Sequence, residues 1–304
     1  MNERESDEPH GGEAYEQLGE LYDAWCAEVV EDVSFYVGLA DALAAELGRV
    51  SIDVVELGAG SGRMTEPLAQ AGHRVTAIEI SPSQLERLHG RIERESLQPL
   101  VTTLEGDMRT VAQLVAPASA DLVVVPFRGM LHVTPERDAV LAAIAQVLRP
   151  RGVVAFDVFH PSAEQIELTH GRWLHRREEL TRGGRWRFQE RARYLPEFAA
   201  EAGGLKLEVD VRCRWKRSRQ RRALEFLPYA DPPEHDRERH ATLELQLVPA
   251  ERWAASLAAA GFQLDGAYGW FDARPLSATD DDSIWVARLD PLPATAVAGP
   301  CQPS

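Results

Sequence analysis

The chain has 304 residues, of which 44 % are apolar and 27 % charged, a composition typical of a globular protein. Its formal net charge of −15 argues against a general nucleic-acid-binding protein, which needs a basic face against phosphate. Only three cysteines are present, none in CxxC spacing, and no apolar run approaches the ~18 residues of a membrane span. We therefore expect a cytoplasmic protein without nucleic-acid or membrane partners.

The first predicted elements are helices. Residues 1–13 are acidic and polar, unlike a signal peptide, and are expected to be disordered. Apolar residues with helical spacing follow, and they are Leu18, Leu21, Tyr22, Trp25 and Val29. A second helix is predicted from about Val33 to Leu47, closed by Gly48. Residues 14–48 are therefore predicted to be helical.

Residues 49–160 alternate between strands and helices. Five apolar runs rich in β-branched residues predict buried strands, at 51–58, 73–80, 100–107, 121–126 and 152–159. Helices are predicted between them at 62–71, 81–95 and 135–148, the second with Ser81 as its N-cap and Pro82 in its first turn. Repeated β–α units with short links predict a parallel sheet covered on both faces.

The pattern changes after His160. Period-2 alternation predicts strands at 186–194, 205–215, 222–226 and 242–248, so 161–248 is predicted to be an antiparallel β insertion. A helix at 249–260 and strands at 261–271 and 283–289 then complete a seven-stranded sheet with one antiparallel member. The core is thus 49–160 together with 249–289, and the Pro/Ala-rich tail 290–304 is expected to be disordered.

The insertion carries most of the basic charge. Residues 172–222 hold 16 of the 33 Lys and Arg but only 7 of the 48 Asp and Glu. Between 211 and 216 apolar and basic residues alternate, which places the basic side chains on one face of a strand. We expect most of them to face solvent. If they faced inward instead, an anionic phosphate or diphosphate ester would be a plausible substrate.

A glycine-rich loop follows the first strand, in VVELGAGSGRM (54–64). Free backbone N–H groups at such a strand–loop–helix junction bind a nucleotide, and glycine lets the ligand approach the backbone closely. The dinucleotide fingerprint G-x-G-x-x-G would require glycine at Arg63, so an NAD(P)-dependent oxidoreductase is disfavoured. Glu79, at the end of the second strand, suits the ribose hydroxyls of either kind of nucleotide.

Two later features favour a different nucleotide. Asp107 closes the third strand, where its carboxylate can accept a bond from an adenine amino group beside the apolar Met108. The chain also ends in two consecutive strands after its last helix.

The glycine loop, Glu79 and Asp107–Met108 follow the first three strands in this order. With these motifs the sequence resembles the class I S-adenosylmethionine-dependent methyltransferases, over residues 15–289. The resemblance implies an α/β, Rossmann-like, mostly parallel seven-stranded sheet with an N-terminal helical lid and an antiparallel β insertion. The insertion and lid are similar to those of small-molecule enzymes such as amino-sugar N-methyltransferases. By this resemblance the residues that contact S-adenosylmethionine are Tyr15, Tyr22, Trp25, Glu56, Gly58, Ala59, Gly60, Gly62, Arg63, Glu79, Ile80, Asp107, Met108, Pro126 and Phe127. Helix packing for the aromatics and a solvated surface for Arg63 remain open alternatives.

The candidates for catalysis follow the fourth and fifth strands, where open α/β sheets bind substrates. His132 is the first candidate for a general base, with substrate positioning or packing as alternatives. Glu167 and His170 belong to a second group of His, Glu and Asp residues after the fifth strand. Their spacing matches no metal-binding pattern, so no metal is predicted.

The expected function is methyl transfer to a small-molecule acceptor, plausibly in specialised metabolism, at nitrogen, oxygen or carbon. Methylation of nucleic-acid bases is disfavoured because Val125–Arg128 reads VPFR rather than the family's N/D-P-P-Y/F. A non-catalytic protein that binds S-adenosylmethionine remains an alternative, because fold and cofactor motifs do not establish catalysis. The insertion could either cover the substrate pocket or pair two subunits in a homodimer.

Overall fold

Two β-sheets organise the structure, a computed structural model that describes residues 13–19, 21–27, 30–181, 184–195, 204–217 and 238–290. The first sheet has seven strands in the order β10-β11-β5-β4-β1-β2-β3. These strands are β1 (Asp53–Leu57), β2 (Arg74–Glu79), β3 (Val101–Glu105), β4 (Ala120–Val125), β5 (Leu148–Phe159), β10 (Phe262–Tyr268) and β11 (Asp282–Leu289). All neighbouring pairs are parallel except those of β11, which runs antiparallel to β5 and β10. The predicted fold class is confirmed.

Helices cover both faces of this sheet. They are α3 (Glu31–Glu46), α4 (Thr65–Gln70), α5 (Pro82–Arg94), α6 (Val111–Leu114), α7 (Arg137–Val147), α8 (Ala163–Thr169) and α9 (Ala250–Ala259). One apolar cluster packs α3, α4 and α5 against the sheet, and a second packs α7 and α9 against its other face. Ser81 accepts a hydrogen bond from the backbone N–H of Gln84, so the predicted N-cap of α5 is confirmed.

The loop before α4 differs from the prediction. Helix α4 begins at Thr65, whereas the sequence suggested a helix from Gly62. Gly62 has a φ of +91°, which a right-handed helix does not accommodate. The glycine loop therefore extends three residues further before the helix begins.

The predicted first helix is interrupted. Helix α1 (Glu13–Leu18) and helix α2 (Leu21–Cys26) are separated at Gly19, whose φ is +51°. This turn brings the rings of Tyr15 and Tyr22 together in an edge-to-face contact, with centroids 5.0 Å apart. The sequence pattern missed the break because the apolar spacing continues through it.

The second sheet has four antiparallel strands in the order β6-β7-β8-β9. They are β6 (Leu174–Thr181), β7 (Gly184–Leu195), β8 (Leu205–Arg217) and β9 (Glu238–Leu247). Strand β6 was not predicted, because this edge strand reads LHRREELT and lacks the apolar alternation of a half-buried strand. The predicted strand at 222–226 lies outside the described residues.

One face of the second sheet carries the helices α1 and α2. Trp186, Phe188 and Trp215 are buried there against Leu18 and Leu21 of the helices. Val211 and Cys213 are also fully buried on this face. Arg212 and Arg214, which alternate with them along the strand, lie on the other face. Among the described residues no helix has the length and apolar character needed to cross a membrane.

Candidate functional site

A first cavity opens at the carboxyl ends of β1 to β4, beneath α1 and α2. It encloses about 820 Å³ when the open solvent at its mouth is included. Ten of the fifteen predicted cofactor residues line it, and they are Tyr15, Tyr22, Gly58, Gly60, Glu79, Ile80, Asp107, Met108, Pro126 and Phe127. The sequence did not predict Gln84, Arg109, Gly129 and Val133, which also line it.

The glycine loop bends sharply at the floor of this cavity. Gly58 and Gly60 have φ values of +71° and +55°, in the left-handed region that glycine adopts without steric cost. The N–H groups of Gly58 and Ala59 both bond to the carbonyl of Ile78, which ties the loop to β2. Ala59 and Gly62 support the loop from below and do not line the cavity.

Gly62 is where the loop contacts α5 most closely. A Cβ at Gly62 would lie 2.4 Å from Cδ1 of Leu88, at a φ of +91°. We expect Gly62→Ala to lower the free energy of unfolding by about 3 kcal/mol, from strain and overpacking together. Gly72→Ala is the matched control, because its φ is +93° and no atom lies within 4 Å of the added Cβ. Urea denaturation of both variants checks this, and equal losses would rule out the proposed clash.

Glu79 is held at the edge of the cavity by backbone donors. Its carboxylate accepts hydrogen bonds from the N–H groups of Gly60 at 2.8 Å, Ile80 at 2.9 Å and Ser81 at 2.8 Å. Burial raises its pKa, while these three hydrogen bonds counteract that shift. A carboxylate oriented in this way has lone pairs left for ligand hydroxyl groups.

Gln84 presents buried polar atoms to the cavity that suit a polar ligand. Its side chain is 1 % exposed and lines the cavity, and among the described residues neither Oε1 nor Nε2 has a hydrogen-bond partner. In a capping box, the residue at this position would accept from the N–H of Ser81. Here that N–H bonds to Glu79 instead, which leaves the amide of Gln84 free. The available sequence signal was the S-x-x-Q pattern of Ser81 to Gln84. It predicts that Gln84 accepts from the N–H of Ser81, whereas that N–H donates to Glu79.

Asp107 and Met108 lie together at the end of β3, as the sequence suggested. The Asp107 carboxylate accepts from the backbone N–H of Arg109 at 2.8 Å and from its guanidinium at 2.8 and 2.6 Å. Arg109 therefore takes up much of the hydrogen-bonding capacity that the sequence assigned to adenine. The Met108 side chain also approaches Gly58, where an added Cβ would lie 3.5 Å from its Cε.

Three predicted cofactor residues lie elsewhere. Glu56 is 1 % exposed, accepts a hydrogen bond from Thr65 at 2.5 Å and does not line the cavity. Burial raises its pKa to about 8. Arg63 forms two hydrogen bonds to Asp32, at 2.8 and 2.5 Å. Trp25 lines a second cavity instead.

This second cavity lies between the four-stranded sheet and the core. It encloses about 1710 Å³ of open space. Four residues line both cavities and form the wall between them, namely Tyr15, Tyr22, Phe127 and His132. Molecules in the two cavities would therefore meet at these four residues.

His132 and Tyr15 are paired within the wall. The Tyr15 hydroxyl lies 2.7 Å from Nε2 of His132. Desolvation lowers the pKa of His132 to about 4, so the imidazole is neutral near pH 7. Burial also raises the pKa of Tyr15, which keeps the phenol protonated. The pair thus offers an uncharged donor–acceptor chain between the two cavities.

Asp157 holds the turn that carries Phe127 of this wall. One of its carboxylate oxygens accepts from Tyr36 at 2.7 Å and from the N–H of Phe127 at 2.9 Å, and the other from the N–H of Arg128 at 2.8 Å. Phe127 and Arg128 have φ values of +56° and +61°, two consecutive left-handed residues that are not glycine. The carboxylate therefore holds a strained turn in place.

The other two catalytic candidates lie away from the wall. Glu167 and His170 are exposed at α8, and neither lines either cavity formed by the described residues. His170 accepts a hydrogen bond at Nδ1 from the N–H of Tyr194 at 3.2 Å, which suits a structural role. Within the described ranges, no three His, Cys, Asp or Glu side chains are placed to hold a metal ion.

Comparison with known proteins finds a family match for the part of the chain that supplies most residues of the first cavity. Residues 54–152 match the family model described as a methyltransferase domain. This stretch is similar to a methyltransferase domain. The match confirms the resemblance seen in the sequence, and it contains the glycine loop, Glu79, Asp107 and His132.

Relatives of known name align with this methyltransferase domain and its surroundings. The ubiquinone biosynthesis O-methyltransferase of Xanthomonas oryzae is 30 % identical over 116 residues, which is 37 % of this chain and 45 % of the relative. The carboxy-S-adenosyl-L-methionine synthase of Klebsiella pneumoniae is 27 % identical over 143 residues, 46 % of this chain and 56 % of the relative. The chain thus spans about half the length of these relatives.

Solved structures resemble the whole described fold, beyond the methyltransferase domain alone. The CcbJ methyltransferase of Streptomyces caelestis superimposes with a TM-score of 0.71 at 20 % identity, covering 93 % of this chain and 99 % of that one. The sugar N-methyltransferase KedS8 of a Streptoalloteichus species gives 0.61 at 16 % identity, covering 95 % and 97 %. At these identities the likeness establishes the fold.

Proposed function

We propose that the protein is an S-adenosylmethionine-dependent methyltransferase that acts on a small molecule. One observation carries the proposal: a cavity in the region that matches a methyltransferase domain shares four lining residues with a larger cavity. The first cavity would hold the methyl donor and the second the acceptor. Transfer would then take place at Tyr15, Tyr22, Phe127 and His132.

The residues of the first cavity fit the proposed donor. Glu79 would accept hydrogen bonds from the ribose hydroxyls, and the unpartnered amide of Gln84 would bond to the polar edge of the nucleoside. Met108 and Ile80 supply apolar surface for a purine ring. When bound, S-adenosylmethionine supplies a methyl group on a sulfonium sulfur, which is already a good leaving group.

The protein's own contribution is then mainly orientation. Holding reactants in the correct geometry accounts for much of the rate when the leaving group needs no activation. We propose that Tyr15 donates its hydroxyl hydrogen to Nε2 of His132, so that the phenol oxygen accepts a hydrogen bond from the acceptor. The neutral imidazole suits this role, since a protonated one would have no lone pair at Nε2.

Binding and transfer are tested separately. Isothermal titration calorimetry with S-adenosylhomocysteine and with NADH tests the first cavity, and incubation with methyl-labelled cofactor and a metabolite pool tests transfer. Binding of NADH but not S-adenosylhomocysteine would overturn the proposal. Tight binding without label transfer would favour a non-catalytic binding protein.

Gln84 gives the proposal a sharper readout. Gln84→Leu removes two buried polar atoms without partners, so we expect the protein without ligand to become more stable, by about 1 kcal/mol. The affinity for S-adenosylhomocysteine should fall about tenfold, because the ligand loses its partner. Calorimetry and urea denaturation measure the two effects, with Gln70→Leu at the exposed end of α4 as the control. A gain in stability without loss of affinity would show that Gln84 does not contact the cofactor.

A further inference from the structure

We infer that the second cavity selects an acceptor with a positive charge on a partly aromatic or apolar body that carries no phosphate. This inference rests on the proposed function, because it concerns the same acceptor site. It names the acceptor by charge and chemical character, which the methyltransferase fold does not determine.

Carboxylates outnumber cations in the cavity wall. Five line it, and they are Asp32, Asp157, Glu190, Asp281 and Asp282, against the guanidinium groups of Arg128 and Arg176. Both arginines are already paired, Arg128 with Asp282 at 2.6 Å and Arg176 with Glu190 at 3.3 Å. Asp32 is paired with Arg63 from outside the cavity. The cavity therefore carries a net negative charge.

Two of the carboxylates have no cationic partner. Among the described residues, neither Asp157 nor Asp281 forms an ion pair with Lys or Arg. Asp157 already accepts three hydrogen bonds, from Tyr36 and two backbone N–H groups. Within the described part of the chain, the Asp281 carboxylate accepts a hydrogen bond at one oxygen alone, from the N–H of Ser162 at 2.6 Å, so its other oxygen can receive a cation. A half-buried carboxylate in this state gains most from an ammonium group.

The remaining walls suit the rest of such a molecule. Trp25, Phe159, Tyr194, Trp270 and Phe271 contribute aromatic surface in addition to the shared wall. Aromatic faces attract cations as well as apolar groups. Apart from the open solvent at its mouth the cavity holds about 450 Å³, within the ~300–1,000 Å³ range of small-molecule pockets.

The same charges exclude a phosphorylated acceptor. A diphosphate would lie beside five carboxylates, and the two arginines of the wall are already neutralised. Arg187 and Arg191 of the insertion do not line the cavity and are paired, Arg191 with Asp210 at 2.7 Å and Arg187 with Glu178 at 2.7 Å. If the acceptor is built from a nucleotide-activated precursor, methylation must follow the transfer that removes the nucleotide.

The test compares probes of one shape and different charge. Fluorescence titration at pH 7.5 would use N-dansylcadaverine, which carries an ammonium group, and N-dansyl-6-aminohexanoate, which carries a carboxylate. We expect the cationic probe to bind at least tenfold more tightly, and thymidine diphosphate at 1 mM not to displace it. Asp281→Asn should reduce this preference several-fold, whereas Asp265→Asn, which alters a surface ion pair to Arg288, should leave it unchanged.

The outcomes separate this inference from the proposed function. Equal affinity for the two dansyl probes, tighter binding of the carboxylate, or displacement by thymidine diphosphate would overturn the inference. The titrations are run with and without S-adenosylhomocysteine, so the charge preference is measured even if that ligand fails to bind. Failure of S-adenosylhomocysteine to bind would count against the proposed function alone.

Discussion

Replacing Asp157 with asparagine is expected to lower kcat by about 100-fold, the scale of loss that a small displacement of reacting groups produces. Asparagine presents an NH₂ group where the carboxylate accepts a backbone N–H, so the turn at Phe127 and Arg128 loses one of its anchors. Because both residues are in strained left-handed conformations, the turn should relax and Phe127 should leave the wall. Steady-state turnover measures this effect.

Tyr36→Phe is the matched control for this prediction. It removes one donor to Asp157 and leaves both backbone hydrogen bonds intact, so kcat should fall much less. Circular dichroism would verify that both variants fold. Wild-type turnover in Asp157→Asn would show that the carboxylate does not position the wall.

Asp157 also has an expected effect on the pH dependence of stability. Burial raises its pKa from the ordinary value of 3.8 to about 6. The folded state then binds a proton more tightly than the unfolded state, so the contribution of protonated Asp157 is full below about pH 4 and is lost as pH rises through 6. Compared with Asp157→Asn, the wild type should lose up to about 3 kcal/mol of unfolding free energy between pH 4 and 7. Parallel stability curves for the two proteins would contradict the raised pKa.

Replacing His132 with alanine is expected to lower kcat by about 100-fold while the affinity for S-adenosylhomocysteine changes little. The imidazole holds the Tyr15 hydroxyl at 2.7 Å in the shared wall, so its loss leaves Tyr15 without orientation toward the acceptor. Since the pKa of His132 lies at about 4, the acid limb of kcat/KM due to this group should fall near pH 4 rather than 6.5. Stopped assays across pH 3.5–8, supported by calorimetry, measure both effects.

Two further variants separate hydrogen bonding from proton uptake. His132→Gln retains an oxygen that can accept from Tyr15, so it should keep more activity than His132→Ala if orientation is the main role. Tyr15→Phe removes the hydroxyl and should approach the loss seen in His132→Ala. If His132→Gln is as inactive as the alanine variant, the imidazole takes up a proton during turnover. Unchanged turnover in His132→Ala would remove the residue from the mechanism.

The sequence predicted the elements whose signals are local. Strands β1, β4 and β5 are continuous apolar runs, and Ser81 followed by Pro82 marks the start of α5. These signals require no knowledge of distant residues. Strand β6 and the break at Gly19 were missed because packing against other elements determines them, while the local pattern suggests otherwise.

The residues of the candidate site were likewise predictable where they follow directly on a strand. The glycine loop and Glu79 follow their strands directly, so the chain order places them at the cavity. Glu56 does not line the cavity, because its buried carboxylate accepts a hydrogen bond from Thr65, a contact that the local sequence does not indicate. Gln84 could not be identified from the sequence, since its role depends on Ser81 bonding to Glu79. Asp157 belongs to the group of acidic and His residues after the fifth strand, but its contact with a turn 30 residues away along the chain could not be predicted.

The apolar cluster that joins α1 and α2 to the four-stranded sheet has a consequence for the engineering of this protein. Leu18 and Leu21 pack on Trp186, Phe188 and Trp215. The helices above the first cavity and the sheet that lines the second cavity are therefore held together by the same contacts. A chimera that exchanges residues 161–248 for another insertion would leave α1 and α2 without their packing surface. Residues 13–27 should therefore be exchanged together with the insertion, as one cassette, if acceptor choice is to change while the donor site is retained.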